Sequence, residues 1–379
     1  MALILNPDQV QLRDSAAAFL AAKAPVSQGR QLRDQRDATG FDRAVWRGFA
    51  EMGYSGILVP EQHGGLGLGH VEVGVVMEQV GRHLSVSPWL ASAIVAAVAL
   101  RQAGSAAQQA QWLPRLAASQ AIATLAVDEG AKHRPMHLGA TLRADANGWV
   151  LDGDKSVVLQ AHTADLFIVA ARSSGNAGDS HGIALCLVER GAPGLEVERT
   201  LMVDSQNAGR IRLRRVAVTA AQMLGAVDEG AAALSAALNA GRCAAAAELL
   251  GLGDEVFART VDYLKQRRQF GRLIGEFQAL QHRAALVYCE QELTRAAVMQ
   301  AQQSLDRDMH QAGADVAVAK ARAGRSATLA VQEAVQMHGG MGMTDAFEIG
   351  FFMKRARVLQ ELWGDAHFHQ DQAARQRGY

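Results

Sequence analysis

The sequence predicts a mostly α-helical chain with a β domain in its middle, and three observations predict it. Ala- and Leu-rich runs with helical spacing fill the chain up to about residue 118 and again from about residue 228. Between about 121 and 218 the period changes to short β-branched or alternating runs, split by DANG, SSGNAGDS and GAPG. Strands and helices never alternate as βαβ units, which excludes a doubly wound parallel sheet. The predicted domains are a helical 1–118, a β domain at 119–227 and a helical bundle at 228–379.

Each element has its own justification. Asn6-Pro7-Asp8 reads as a helix cap with proline in the first turn, and Phe41-Asp42 opens a second helix, AVWRGFAEMG, that stops at glycine. The residues between these helices read as a polar, charged connector. VPEQHGGLGLG (59–69) holds four glycines and reads as a loop. The run from Trp89 to Leu100 is apolar but shorter than the ~20 residues that cross a bilayer, so it reads as a buried helix. ATLAV, GWVLDG, DLFIVAA, GIALCLVE and RIRLRRVAV read as strands. Long helical runs follow at 231–265, 276–305, 312–337 and 350–363, enough for a four-helix bundle.

Composition narrows the function classes. The 38 basic residues balance 38 acidic ones, so no net field draws the chain to nucleic acid or an anionic membrane. Cys186, Cys243 and Cys289 are scattered without CxxC spacing, against a disulfide framework or a cysteine zinc site. The N-terminus lacks the basic start and apolar run of a signal peptide, and the expectation is a cytoplasmic protein.

Three stretches could carry chemistry. YLKQRRQFGRLIGEFQALQ (263–281) places Arg268 and Gln278 near one corner between two helices; a guanidinium fork suits phosphate, while the plainer reading is a solvated basic helix end. QMHGGMG (336–342) packs glycines at a helix end, where backbone can approach an anion or merely cap the helix. LQELWGDAHFH (359–369) holds two carboxylates, a tryptophan and two histidines. His367 and His369 diverge by roughly 200° on a helix and do not converge on one metal, and no metal site is expected. Glu361 lies on another helix face than Asp365. Asp228-Glu229 favours the start of the next helix, and Lys354, Arg355 and Arg357 read as a solvated basic face.

Together these motifs resemble the acyl-CoA dehydrogenase family over nearly the whole chain: VPEQHGGLGLG, DGDK, ADLFIVAAR, YLKQRRQFGRLIGEFQALQHR and QMHGGMG. The resemblance implies an N-terminal helical domain, a middle β-barrel and a C-terminal four-helix bundle, assembled as dimers or tetramers with FAD at a subunit interface. Arg268, Phe270 and Gln278 would touch the pyrophosphate and adenosine of FAD, and Gln336, Gly339 and Gly340 would line the same end. The implied reaction is α,β-dehydrogenation of an acyl-CoA thioester to a trans-enoyl-CoA, with an electron-transfer flavoprotein as acceptor.

The chain departs from the family where the chemistry occurs. The family's catalytic carboxylate stands just before a glycine in the last helical segment, and that register holds Trp363; a second family location holds Gly241, before Arg242. Neither takes a proton. The family's Thr-Glu-Pro becomes Asp128-Glu129-Gly130, AKHRP replaces the usual Gly-Ser-Asp turn, and Trp-Ile-Thr becomes Val157-Val158-Leu159. A subgroup, the small subunit of pimeloyl-CoA dehydrogenase and similar subunits of heteromeric dehydrogenases, resembles this combination. Three expectations stay open: a base-lacking subunit that works with a base-bearing homologous subunit, a homomeric enzyme with Asp365 as a displaced base, and a flavin-free assembly protein.

Overall fold

The computed structural model describes residues 3–379. In chain order the helices before the sheet are α1 (Pro7–Lys23), α2 (Val26–Asp34), α3 (Arg43–Glu51), α4 (His70–His83), α5 (Ala97–Ala103, preceded by a π-turn at Leu90–Ala96) and α6 (Ala106–Ala117). Seven strands follow: β1 (Ala123–Ala126), β2 (Thr141–Asp145), β3 (Gly148–Leu159), β4 (Leu166–Arg172), β5 (Ile183–Glu189), β6 (Leu195–Leu201) and β7 (Asn207–Val218). Then come α7 (Ala231–Gln266), a hairpin of β8 (Arg268–Gln269) and β9 (Arg272–Leu273), α8 (Gln278–Arg307), α9 (Gly313–His338), α10 (Ile349–Glu361) and α11 (Ala366–Gln376). This is the acyl-CoA dehydrogenase-like arrangement expected, with a curled half-barrel sheet where the sequence suggested a barrel.

The chain divides into two compact units. The first comprises Met1–Asp34, His70–Val86 and Arg242–Tyr379. Its opening helix starts at Asn6, whose side chain accepts from Gln9 N at 2.8 Å while Gln9 Oε1 accepts from Asn6 N at 3.0 Å. This reciprocal box, with Pro7 in the first turn, satisfies donors that a helix start leaves open. The charged connector expected after α1 is instead α2. Only Val26 of this helix is buried, and its stability comes from sequence-distant partners: Arg30 and Arg33 bond Asp345 at 3.1 and 2.7 Å and lie over the Phe351 ring. Arg355, expected on a solvated face, is buried instead. It meets Glu248 through two hydrogen bonds of 2.7 and 3.0 Å, because Glu248 on α7 is only 1% exposed and needs a cation.

The second unit comprises Gln35–Gly69 and Ser87–Gly241. Asp42 caps α3 by accepting from Ala44 N at 2.7 Å, and Val45, Trp46 and Phe49 form the buried face of that helix. Phe49 packs on Trp89, whose indole donates to Tyr54 O at 3.0 Å. In the glycine loop, a Cβ at Gly65 would lie 2.0 Å from Val59 O, so the turn requires glycine there. The sheet runs β1-β4-β2-β3-β7-β6, with β5 on β4. β4 pairs in parallel with β1 and β2, and every residue of β4 is buried. Two register shifts between β3 and β7, at Leu151/Gly153 and Lys155/Val158, bend the sheet. No described helix is long and apolar enough to cross a membrane.

Candidate active site

The hairpin after α7 is built for its position. Phe270 (φ +53) and Gly271 (φ +78) form a two-residue turn with both φ values positive, the type I′ geometry that matches strand twist. Phe270 is 91% exposed, with its ring edge-on to Phe277 at 6.1 Å. Arg268 is exposed on β8, and Gln278 is exposed on the first turn of α8.

Packing brings QMHGG beside this hairpin. Met337 shares an apolar cluster with Leu264 and Ile274, against Tyr263, Phe277 and Leu280. The His338 ring stacks on Tyr263 at 4.3 Å. Gln336, Gly339 and Gly340 are exposed there, and a Cβ at either glycine would meet nothing within 4 Å. Gly339 (φ +60) ends α9, its N–H bonded to Gln336 O. The side chains of Arg268, Gln278 and Gln336 have no partner among the described residues. A guanidinium, two amides and open glycine backbone form a donor set that fits a pyrophosphate and an adenosine edge.

LQELWGDAHFH breaks between two helices. α10 ends at Glu361, Trp363 (φ +55) and Gly364 (φ +111) reverse the chain, and Asp365 opens α11, a helix the sequence reading did not foresee. Asp365 caps that helix by accepting from Phe368 N at 2.8 Å. A Cβ at Gly364 would lie 2.3 Å from the Phe368 ring, so this turn also needs glycine. Trp363 is 5% exposed. Two cations pin its backbone: Arg242 Nε donates to Trp363 O at 3.1 Å, and Lys320 Nζ to Gln360 O at 3.1 Å and Gly364 O at 3.2 Å. Burial, with Arg242 nearby, lowers the Lys320 ammonium to about 7, although Glu361 and Asp365 oppose the shift. Glu361 is exposed and pairs with Arg357; His367 is exposed, while His369 is buried. Sequence reading missed Lys320. Its only signal is a lone cation in the apolar run VAVAKARAG.

The departures in the β domain also have structure. Asp128 Oδ1 meets His133 Nδ1 at 2.7 Å. Glu129 accepts from Lys155 Nζ at 2.6 Å and from Gly139 N and Ala140 N at 2.6 and 2.9 Å. Lys155 is buried, and desolvation lowers its pKa despite Glu129. Val157 sits in the second bulge of β3 at φ +51 and 47% exposure, an uncommon conformation for a β-branched residue. A cavity of about 610 Å3 lies beside it, lined among others by Glu129, Lys155, Met202, Arg210 and Arg214.

Sequence-family models for the N-terminal, middle and C-terminal domains of acyl-CoA dehydrogenase match residues 6–120, 123–216 and 228–377. The acyl-CoA dehydrogenase FadE12 of Mycobacterium tuberculosis is 30% identical over 83% of this chain and 83% of its own length. The chain belongs to the acyl-CoA dehydrogenase family. It is also similar to mitochondrial isovaleryl-CoA dehydrogenase of Pongo abelii, at 29% identity over 94% of this chain and 85% of that protein. Among solved structures, the ChsE4-ChsE5 complex from Mycobacterium tuberculosis has a chain of TM-score 0.89 and 27% identity, covering 100% of this chain and 99% of that one. A glutaryl-coenzyme A dehydrogenase with glutaryl-CoA has TM-score 0.91 and 25% identity, covering 100% of this chain and 96% of that one. Acyl-CoA dehydrogenases are FAD-dependent oxidoreductases that act on CH–CH groups.

Proposed function

We propose that the chain is the base-lacking subunit of a heteromeric acyl-CoA dehydrogenase that forms a trans-enoyl-CoA from an acyl-CoA thioester. One observation carries the reading: at the family's base position stands a buried indole, and the turn bearing it is held by Arg242 and Lys320 through main-chain carbonyls. An indole has no basic lone pair to take an α-proton. Asp365, the nearest carboxylate downstream, already accepts from the start of α11. In this reading a homologous subunit supplies the base. ChsE4-ChsE5 and Tcur3481-Tcur3483, both named as pairs and at 27% and 29% identity, support such an assembly. Its nearest subgroup is the pimeloyl-CoA dehydrogenase small subunit, with an electron-transfer flavoprotein as acceptor and a cytoplasmic location. The division 1–118, 119–227 and 228–379 belongs to the same proposal.

Arg268, Phe270, Gln278, Gln336, Gly339 and Gly340 would hold the adenosine and pyrophosphate end of FAD. The bound flavin supplies the hydride acceptor. What this chain's residues do is bind and orient: a guanidinium for phosphate, amides for the adenosine edge, and a sealed turn at Trp363 that keeps water from that corner.

A dye-reduction assay tests the proposal on the chain alone and on the chain with a base-bearing homologous subunit, each saturated with FAD and acyl-CoA. General-base assistance contributes about 10²–10⁴-fold, so the chain alone should be nearly inactive and the pair active. Asp365→Asn separates the alternative. Asparagine caps a helix as well as aspartate does, so the variant removes basicity and keeps α11. Activity of the chain alone that Asp365→Asn abolishes would make Asp365 the base and overturn the reading. Absence of flavin from both forms would favour an assembly protein.

A further inference from the structure

The loop between β1 and β2 is a second place where charge is organised. Lys132, Arg134 and His137 are exposed on it and, with Glu129, Gly130 and Ala131, line a cavity of about 430 Å3. None of the three cationic side chains has a hydrogen-bond or ion-pair partner among the described residues.

The anions of the same stretch are turned inward. Asp128 is engaged by His133 at 2.7 Å, with 12% of its side chain exposed. Glu129 borders the cavity, but one oxygen receives Lys155 and Ala140 N and the other Gly139 N. Buried Arg172 then fastens the loop by its carbonyls, donating to Met136 O at 2.7 Å, His181 O at 2.8 Å and Asp179 O at 3.0 Å. Gly178 N adds a bond to Met136 O at 3.0 Å, and Ser156 N one to Asp128 O at 2.7 Å.

A loop that is merely solvated needs neither buried arginine nor inward carboxylates to hold its shape. This one is fixed from below while its cations face a concave surface. A guanidinium fork, an ammonium and an imidazole within six residues match the several oxygens of a phosphate ester better than a single carboxylate.

We propose that the 130–137 loop is a phosphate-recognising site for a nucleotide-bearing ligand, with Lys132, Arg134 and His137 as its donors. The ligand's identity rests on the function proposed above, which offers two phosphate sources: the 3′-phospho-ADP portion of acyl-CoA and the pyrophosphate of FAD. Both present the same chemistry, and the experiment separates them.

The test compares wild type with Lys132→Ala/Arg134→Ala, both sites being exposed, on the full chain and on its complex with a base-bearing subunit. Calorimetry measures coenzyme A, 3′-dephospho-coenzyme A and pantetheine, and flavin content after gel filtration reports FAD. If acyl-CoA is the source, the double variant binds coenzyme A about tenfold or more weakly, with flavin content and pantetheine binding unchanged, and added salt narrows the difference. A smaller loss for 3′-dephospho-coenzyme A assigns the 3′-phosphate. Loss of flavin at constant coenzyme A affinity assigns the FAD pyrophosphate instead. Unchanged binding of both ligands, or equal weakening of pantetheine, which carries no phosphate, overturns the site; so does wild type that binds neither ligand in either form. Charge-dependent coenzyme A binding without dehydrogenation in either form would leave this site standing and defeat the proposed function.

Discussion

Lys320→Met tests how the turn carrying Trp363 is held. The ammonium is 1% exposed and bonded to two carbonyls, and burial brings its pKa to about 7 from 10.5 in the unfolded chain. The sign follows from proton counting. Between those two values the unfolded state binds a proton that the folded state has released, so the stability of the wild type rises with pH in that window. Below pH 7 both states are protonated, and the full cost of burying the charge is present. Integrated from pH 6 to pH 9, the group contributes a gain of about two proton-units, or about 2.7 kcal/mol at 1.36 kcal/mol each. Methionine fills similar volume and does not titrate, so the variant lacks this gain. The neighbouring Arg242, Glu361 and Asp365 keep their charge over the range and cancel in the difference. Urea unfolding of both proteins at pH 6 and pH 9 should show wild type minus variant shifting by about 2.7 kcal/mol in favour of wild type at the higher pH. A difference that stays flat would mean that Lys320 remains charged in the folded protein, and the argument would fail.

Two further outcomes follow from the same geometry. Arg268→Ala should weaken FAD retention by about 1.5–3 kcal/mol, roughly 10- to 150-fold in Kd, because a charge-assisted phosphate contact is lost from an exposed side chain; unchanged flavin content after dilution and gel filtration would refute that role. Val157→Asn should raise stability by about 1 kcal/mol, since asparagine tolerates the left-handed backbone at φ +51 and the replaced side chain is 47% exposed. An unchanged urea midpoint would show that the bulge stores no such strain.

Local rules made much of this protein legible in its sequence. The change of period near 121 and 218 marks the sheet because side-chain spacing of two and of 3.6 cannot be confused over long runs. Asn6-Pro7 and Asp42 announce their helices because capping depends on residues three apart or closer. The motifs RRQFG and QMHGG named the adenosine-side candidates, and the tryptophan before Gly364 raised the question of the missing base. Tertiary structure alone decided the rest. α2 has little amphipathic signal and depends on Asp345 and Phe351, more than 300 residues away. Arg355 looks solvated until Glu248, 107 residues earlier, is found facing it. Asp365 reads equally as a base or a surface carboxylate; the positive φ values at Trp363 and Gly364 make it the cap of a new helix. The adjacency of the two glycine-bearing motifs rests on Met337 packing against Leu264 and Ile274. Such contacts join residues that chain spacing does not relate, because a buried charge or apolar group takes whichever partner the fold brings near, at any separation.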